Sequence, residues 1–197
     1  MNKRPILIFS AVLAIALGWY QLFAFSTKPG AQFTAPAHLP QDIPNILSSS
    51  FSPATPAPPL LLVFVHPRCS CTSATLAELD QLLSSAPNPV RIALVTYSSP
   101  AVNRPIDPAA ALHHPAKVVL DPGGALARRF GAATSGELIL YSPSGQLLFQ
   151  GGITPMRSET GDNAGADALR LALATGRSQT KAVSVFGCSI YLARHDG

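Results

Sequence analysis

At 197 residues the chain has room for one ordinary domain plus an appendage, since domains usually span about 100 to 150 residues. Charged residues make up only 12%, against about 25% in typical soluble proteins, and an apolar N-terminus inflates the 47% hydrophobic fraction, so the averages describe two unlike parts. The net charge of +4 and pI near 9.2 come from basic residues scattered singly, with Arg128-Arg129 the only pair beyond Lys3-Arg4, which excludes a concentrated nucleic-acid-binding patch.

The basic start Met1-Asn2-Lys3-Arg4 precedes an uncharged apolar run from Pro5 to Phe25. As a helix that run spans about 31 Å, enough for a hydrocarbon core of about 30 Å. Residues 1–25 therefore read as an N-terminal membrane anchor, with residues 5–25 in the bilayer. Lys3 and Arg4 are expected to stay cytoplasmic and Trp19 and Tyr20 to lie at the outer interface, placing the remainder in the periplasm or an equivalent extracytoplasmic space. A cleaved signal sequence is the competing reading. The run is longer than the usual apolar region of about 7 to 15 residues and lacks a small-x-small site directly after it, which favours a retained anchor.

From residue 26 to 59 the chain turns Pro-rich, with Pro29, Pro36, Pro40, Pro44, Pro53, Pro56, Pro58 and Pro59. Each proline lacks an N–H donor and restricts its predecessor, so the segment reads as an extended linker holding the domain off the membrane. A short amphipathic stretch around Ile43 to Leu47 could dock on the domain.

Residues 60–190 carry the pattern of one domain, followed by a tail over 191–197. Leu60 to Val65 is an unbroken apolar run of strand length, as expected for a central strand buried on both faces. Leu76, Leu79, Leu82 and Leu83 recur at helical spacing and predict an amphipathic helix over Ser73–Ser84. Val90 to Tyr97 is the next strand by its β-branched content and its flanking Asn-Pro and Ser-Pro pairs. Asp107-Pro108 and Asp121-Pro122 each resemble a helix N-cap followed by proline at the first helical position, with Lys117–Leu120 a short strand between the two helices. The second helix is predicted to end at Phe130, with Gly131 as a left-handed cap. Glu137–Tyr141 and Gln146–Gln150 flank Ser142-Pro143-Ser144-Gly145 as a β-hairpin, and a last helix covers Asp162–Thr175, with Asp162 as its N-cap. This order implies an α/β fold with a central mixed sheet flanked by helices, the thioredoxin arrangement, and the long middle section resembles the extracytoplasmic, peroxiredoxin-related branch of that superfamily.

Cys69 and Cys71 fall where the first strand ends and the helix begins. A helix N-terminus presents unpaired N–H groups and a positive dipole end, which favour a thiolate. Arg68 adds a cation favouring the same charge state, and His66 could act similarly or shuttle a proton. Compared with Cys-x-x-Cys, the sequence reads His66-Pro67-Arg68-Cys69-Ser70-Cys71-Thr72, so Thr72 occupies the usual resolving position. A Cys69–Cys71 bond would close a small ring of unfavourable geometry, and a strained disulfide is more oxidising. Alternatively Cys71 pairs with Cys188, leaving Cys69 as the free attacker. Cys188 lies beyond the last helix, and only a fold-back of the apolar tail Val183–Cys188 would bring it to the site.

The stretches His66–Cys71, Phe130–Gly136, Gly151–Thr154, Gly161–Gly165 and Phe186–Cys188 together resemble the RedB-type thioredoxin-like proteins, over roughly residues 60–190. The resemblance implies a thioredoxin-like fold and a redox role. The sequence departs from thioredoxins in placing Thr134-Ser135-Gly136 where they carry a cis-proline before the hairpin, and Gly151-Gly152 and Gly161-Asp162-Asn163 are expected to shape a different rim.

These features predict a membrane-anchored thiol–disulfide oxidoreductase needing no cofactor, acting on exported protein thiols or disulfides with an unknown redox partner. The alternative is a Cu(I)-binding protein using Cys69, Cys71 and His66, since soft thiolates suit that ion. His38, His113, His114 and His195 follow no clear ligand pattern, and His113-His114 are expected to face solvent. A peroxidase is disfavoured because His66, not threonine, stands three residues before Cys69.

Overall fold

The computed structural model describes residues 4–41, 43, 57–86, 88–100, 112–178 and 182–191. Helix α1 covers Arg4–Thr27, and its flanks are exposed along their length. It is long and apolar enough to cross a membrane. It ends as Lys28-Pro29 begins, because the residue before proline is pushed out of the helical region.

Five strands follow in one sheet: β1 (Leu60–Val65), β2 (Arg91–Ser98), β3 (Ala116–Pro122), β4 (Glu137–Tyr141) and β5 (Leu147–Gly151), in the spatial order β3-β2-β1-β4-β5. β1, β2 and β3 run parallel, while β4 is antiparallel to β1 and pairs with β5 as a hairpin. Helices α2 (Cys71–Ser84), α3 (Ala125–Arg129) and α4 (Ala164–Thr175) complete the domain. This strand order, with a mixed sheet between helices, is the thioredoxin-like fold predicted from the element order.

β1 lies at the centre, and its unbroken apolar run follows from burial on both faces. Leu61, Val63 and Val65 pack with Leu76, Leu79 and Leu82 of α2 and with Leu169 and Leu173 of α4. Leu60, Leu62 and Phe64 face the other way, onto Phe130, Tyr141 and Ile190. Phe64 and Phe130 have ring centroids 5.8 Å apart, and Phe130 meets Tyr141 edge-on at 6.1 Å.

Two predicted caps are corrected. Pro122 is the last residue of β3, not the first of a helix, because residues 116–122 pair with β2 as far as Ser98. Asp121 still satisfies the helix start from a distance, its carboxylate accepting the N–H groups of Leu126 and Ala127 at 2.8 and 2.9 Å. At the other end Gly131 takes the left-handed conformation expected of it, with φ 71°. In α4 the N-cap is Asn163, not Asp162: Asn163 Oδ1 accepts the Ala166 N–H at 2.9 Å, and its amide donates to Ile153 O and Gly161 O. An amide both accepts and donates, which a carboxylate cannot do here. His113 is exposed and His114 half-buried, both bonded to Asp80 of α2. The helix predicted after Asp107 falls outside the described residues.

The linker is corrected for its first half. Residues 28–41 form no helix, as expected of a Pro-rich chain, but lie on the domain. Phe33 N donates to Gly131 O, Leu39 N to Gly145 O, and Leu147 N to Ala37 O. Gln150 fastens the strap further, accepting from Ala35 N at 3.0 Å and donating to Phe33 O. Ala35 and Ile43 are buried under this contact. Prolines leave many carbonyls without local partners, and the edge of the hairpin supplies donors. Of the amphipathic stretch expected near Ile43 to Leu47, Ile43 docks and the remainder lies outside the described residues.

Beneath the strap sits Glu137, fully buried and accepting from Gln150 Nε2 at 2.8 Å. Burial raises its pKa to about 7, and the Gln150 hydrogen bond offsets only part of that. Below pH about 4.5 both folded and unfolded chains carry it protonated. As pH rises the unfolded chain ionises first, so stability falls up to about pH 7 and stays lower above it. Glu137→Gln is expected to remove this slope and to stabilise the protein at pH 8 by on the order of 3 kcal/mol. Denaturant midpoints of the full chain in detergent at pH 5 and pH 8 measure it, and an unchanged pH dependence in the variant would refute it.

Candidate functional site

β1 hands the chain at Val65 into a tight turn in which Cys69 N donates to His66 O at 3.0 Å and Thr72 N to Cys69 O at 3.1 Å. The turn sets Cys69 just before the N-cap Ser70 of α2 and Cys71 in the helix's first position. Both cysteines are 4% exposed. Thr72, in the usual resolving position, is structural: its hydroxyl donates to His66 O at 3.2 Å and lies 3.1 Å from Ser135 Oγ. Ser135 Oγ also accepts the His66 N–H at 2.9 Å, so the Thr134-Ser135-Gly136 segment is tied beside the cysteine turn.

The tail does fold back. Val183 N donates to Gln150 O at 3.0 Å, placing the tail parallel to the end of β5. A side chain at Gly151 or Gly152 would strike Val183 or Ser184, so these glycines seat the tail. The chain then crosses the cysteine turn and pairs antiparallel with residues 133–135: Ser135 N donates to Cys188 O at 2.8 Å and Ile190 N to Ala133 O at 2.9 Å. Gly187 is closest to that segment, and a Cβ there would stand 2.0 Å from Ser135 O.

This arrangement sets Cys188 against Cys69. Cys188 N–H points at Cys69 Sγ with N···S 3.3 Å. Burial opposes ionisation of Cys69, yet hydrogen bonds from Cys188 and Cys71, through thiol and backbone N–H in each case, hold its pKa below the ordinary thiol value. Cys188 is open to solvent on its outer side. Partial burial of its inner side, together with the hydrogen bond to Cys69 and the negative charge there, pushes its thiol up to about 12. Of the two thiols, Cys69 is thus the more readily ionised.

His66 and Arg68 are adjacent to this pair but occupied differently. His66 Nδ1 accepts the Arg68 N–H at 3.2 Å, and its ring stacks on Tyr97 with centroids 5.0 Å apart. Burial, and then the Arg68 charge, lower its pKa, so the imidazole is neutral near pH 7. The Arg68 side chain is exposed. Among the described residues no group of three His, Cys, Asp or Glu side chains is gathered for a metal, and the set Cys69, Cys71 and His66 is not brought together as ligands.

Two further residues at the site carry no spacing pattern that sequence reasoning could use. Ser158 has φ 59°, a left-handed backbone unusual for serine, and its hydroxyl reaches Cys71 Sγ at 3.5 Å and Ser70 Oγ at 3.2 Å. Its neighbour Arg157 donates to Gly187 O, one residue before Cys188.

No protein-family model matches the chain, and no curated protein matches it in sequence. Solved structures with a similar fold include a hypothetical protein of Sinorhizobium meliloti 1021, at TM-score 0.57 and 18% identity over 84% of this chain and 96% of that one. An uncharacterised conserved protein of Geobacillus kaustophilus aligns with the same score and identity over 84% of this chain and 93% of its own. A secreted disulfide oxidoreductase of Mycobacterium tuberculosis, described as homologous to E. coli DsbE, aligns at TM-score 0.42 and 18% identity over 73% and 95% of the two chains. The likeness is one of fold. Function therefore rests on the site itself.

Two outcomes follow from the geometry. The pH profile of Cys69 alkylation should have its midpoint below that of an ordinary thiol, and Cys188→Ala should raise it, because the thiol donor from residue 188 is gone; an unmoved midpoint would contradict the hydrogen bonding described. Gly187→Ala should expel the tail from residues 133–135 while the sheet stays folded, seen as faster amide exchange at Ser135 and Ile190 with an unchanged far-ultraviolet spectrum.

Proposed function

We propose that the protein is a membrane-anchored thiol–disulfide oxidoreductase of the extracytoplasmic space, in which Cys69 attacks and Cys188 resolves. The observation that carries this reading is the placement of the Cys188 N–H 3.3 Å from Cys69 Sγ by a tail that folds back across the cysteine turn. The Cys69 thiolate attacks one sulfur of a substrate disulfide, forms a mixed disulfide and releases the other sulfur as a thiolate. That step removes the negative charge that helps keep Cys188 protonated. Cys188 then loses its proton more readily, attacks the Cys69 sulfur and releases the second substrate thiolate, leaving a Cys69–Cys188 disulfide. Two electrons pass from the protein's dithiol to the substrate; the Cys188 proton goes to one released thiolate, and the other takes its proton from solvent. Run in reverse, the same steps oxidise a substrate dithiol.

Cys71 supports the thiolate through its own hydrogen bonds to Cys69. The anchor reading is supported by the apolar helix α1, and the outward placement of the domain by Lys3-Arg4 before it. Placement with the RedB-type proteins belongs to the same proposal. It is supported by the way their shared stretches meet here: His66–Cys71, Phe130–Gly136, Gly151–Thr154 and Phe186–Cys188 all adjoin the cysteine turn or seat the tail.

Mass-spectrometric disulfide mapping of the full chain in detergent, across glutathione buffers of defined potential, tests the reading. A reversible Cys69–Cys188 bond is expected. Cys69→Ser should abolish exchange, Cys188→Ser should trap a mixed disulfide at Cys69, and Cys71→Ser should keep the Cys69–Cys188 bond while slowing attack. Three thiols that neither pair nor react would sink the redox function, and a Cys69–Cys71 bond would move the resolving role to Cys71.

A further inference from the structure

The loop between β5 and α4 makes contacts that the thiol chemistry alone does not require. The Arg157 backbone N donates to Ser26 O at 3.1 Å, its Nε to Phe25 O at 3.2 Å and its Nη2 to Lys28 O at 3.4 Å. Its guanidinium lies over the Phe25 ring, 4.7 Å from the centroid. These carbonyls belong to the last turn of α1 and the residue just after it, where a helix leaves acceptors unsatisfied and its dipole favours a cation. The remaining arm of the same guanidinium, Nη1, donates to Gly187 O in the tail. One planar group therefore holds the end of the membrane helix and the peptide that carries Cys188.

The Gly187 peptide is caught between two fixed groups. Arg157 takes its carbonyl from one side, and on the other the backbone of Ser135 approaches so closely that no side chain fits at residue 187. Gly30 N, just past the helix, donates to Val185 O at 2.8 Å and adds a second link between the helix exit and the tail. Ser158, next to Arg157, reaches Cys71 Sγ at 3.5 Å, so the loop touches the cysteine turn as well as the tail.

We infer that Arg157 is a positioning residue that sets Cys188 against Cys69 from the end of the anchor helix, so that the reactivity of the pair depends on the helix exit being docked. This rests on the thiol-exchange reading and adds a coupling to it. A guanidinium can span the helix carbonyls and the tail because its donors are fixed in one plane; an ammonium on a flexible stem cannot hold the same set.

The test uses the full chain in phospholipid nanodiscs, equilibrated with glutathione and mapped for the Cys69–Cys188 bond. Arg157→Gln should lower the equilibrium constant for forming that bond by roughly tenfold, equivalent to about 30 mV for a two-electron couple. It should also shift the Cys69 alkylation profile to higher pH, because the released tail withdraws its donors from the sulfur. Arg157→Lys should lose about threefold, as a single ammonium retains only part of the contact. Phe25→Ala should give an intermediate loss although it alters neither tail nor cysteines, and it decides the matter if Arg157→Gln does not fold. An Arg157→Gln protein that folds, stays within twofold of the unaltered protein and keeps its pH profile would overturn the inference. Failure of the unaltered protein to form the Cys69–Cys188 bond would instead defeat the exchange reading beneath it.

Discussion

The backbone pairing of residues 188–190 with residues 133–135 is the constraint on which the site depends. Cys69 and Cys188 are 119 positions apart, and closing so long a loop has an entropic cost that one contact between sulfurs would not offset. Main-chain hydrogen bonds to Ser135 and Ala133, the seat beside β5 and burial of Val185 and Ile190 share that cost. The tail pairs with a backbone segment outside the sheet by the same chemistry that lets an extended peptide augment a sheet. Because Ser135 also holds His66 and Thr72, the segment that receives the tail is rigidly referred to the cysteine turn.

Once the tail is seated, the electrostatics of the thiols follow from position. Cys69 lies in front of the first turn of α2, where backbone N–H groups have no intrahelical partner, and gains a further N–H from Cys188. Several weak donors aimed at one buried sulfur outweigh its desolvation and favour the thiolate there. Cys188 stays protonated because partial burial disfavours its charge, and the hydrogen bond to Cys69 and the negative charge there add to that. The charge asymmetry belongs to the pair and is created by the fold-back. Neither Arg68, with an exposed side chain, nor neutral His66 needs to supply it.

The N-terminal strap connects this site to the apolar helix α1. Residues 28–41 follow α1 without a free spacer and are held by Gln150, Gly131 and Gly145, while Glu137 is enclosed beneath them. Arg157 and Gly30 link the helix exit to the tail within a few residues of Cys188. The contacts that hold the exit of α1 therefore also restrict the tail.

Much of the fold was legible in the sequence because local patterns report burial directly. The six apolar residues of β1 had to be covered on both faces, the leucine spacing of α2 demanded a helix, and Ser142–Gly145 marked the hairpin. The same local rules failed where a long-range partner overrode them. Asp121-Pro122 reads as a helix start, but pairing with β2 draws Pro122 into a strand, and Asn163 displaces Asp162 because Ile153 O needs a donor. Prolines foretold that residues 28–41 form no helix, yet whether that chain is free or docked depends on the hairpin edge beside it. By itself the sequence determined which thiol would sit at a helix N-terminus, since strand, turn and helix are contiguous there. Which cysteine faces it, and that Arg157 and Ser158 belong to the site, was decided only by tertiary structure, because those contacts join residues whose separation along the chain carries no periodicity.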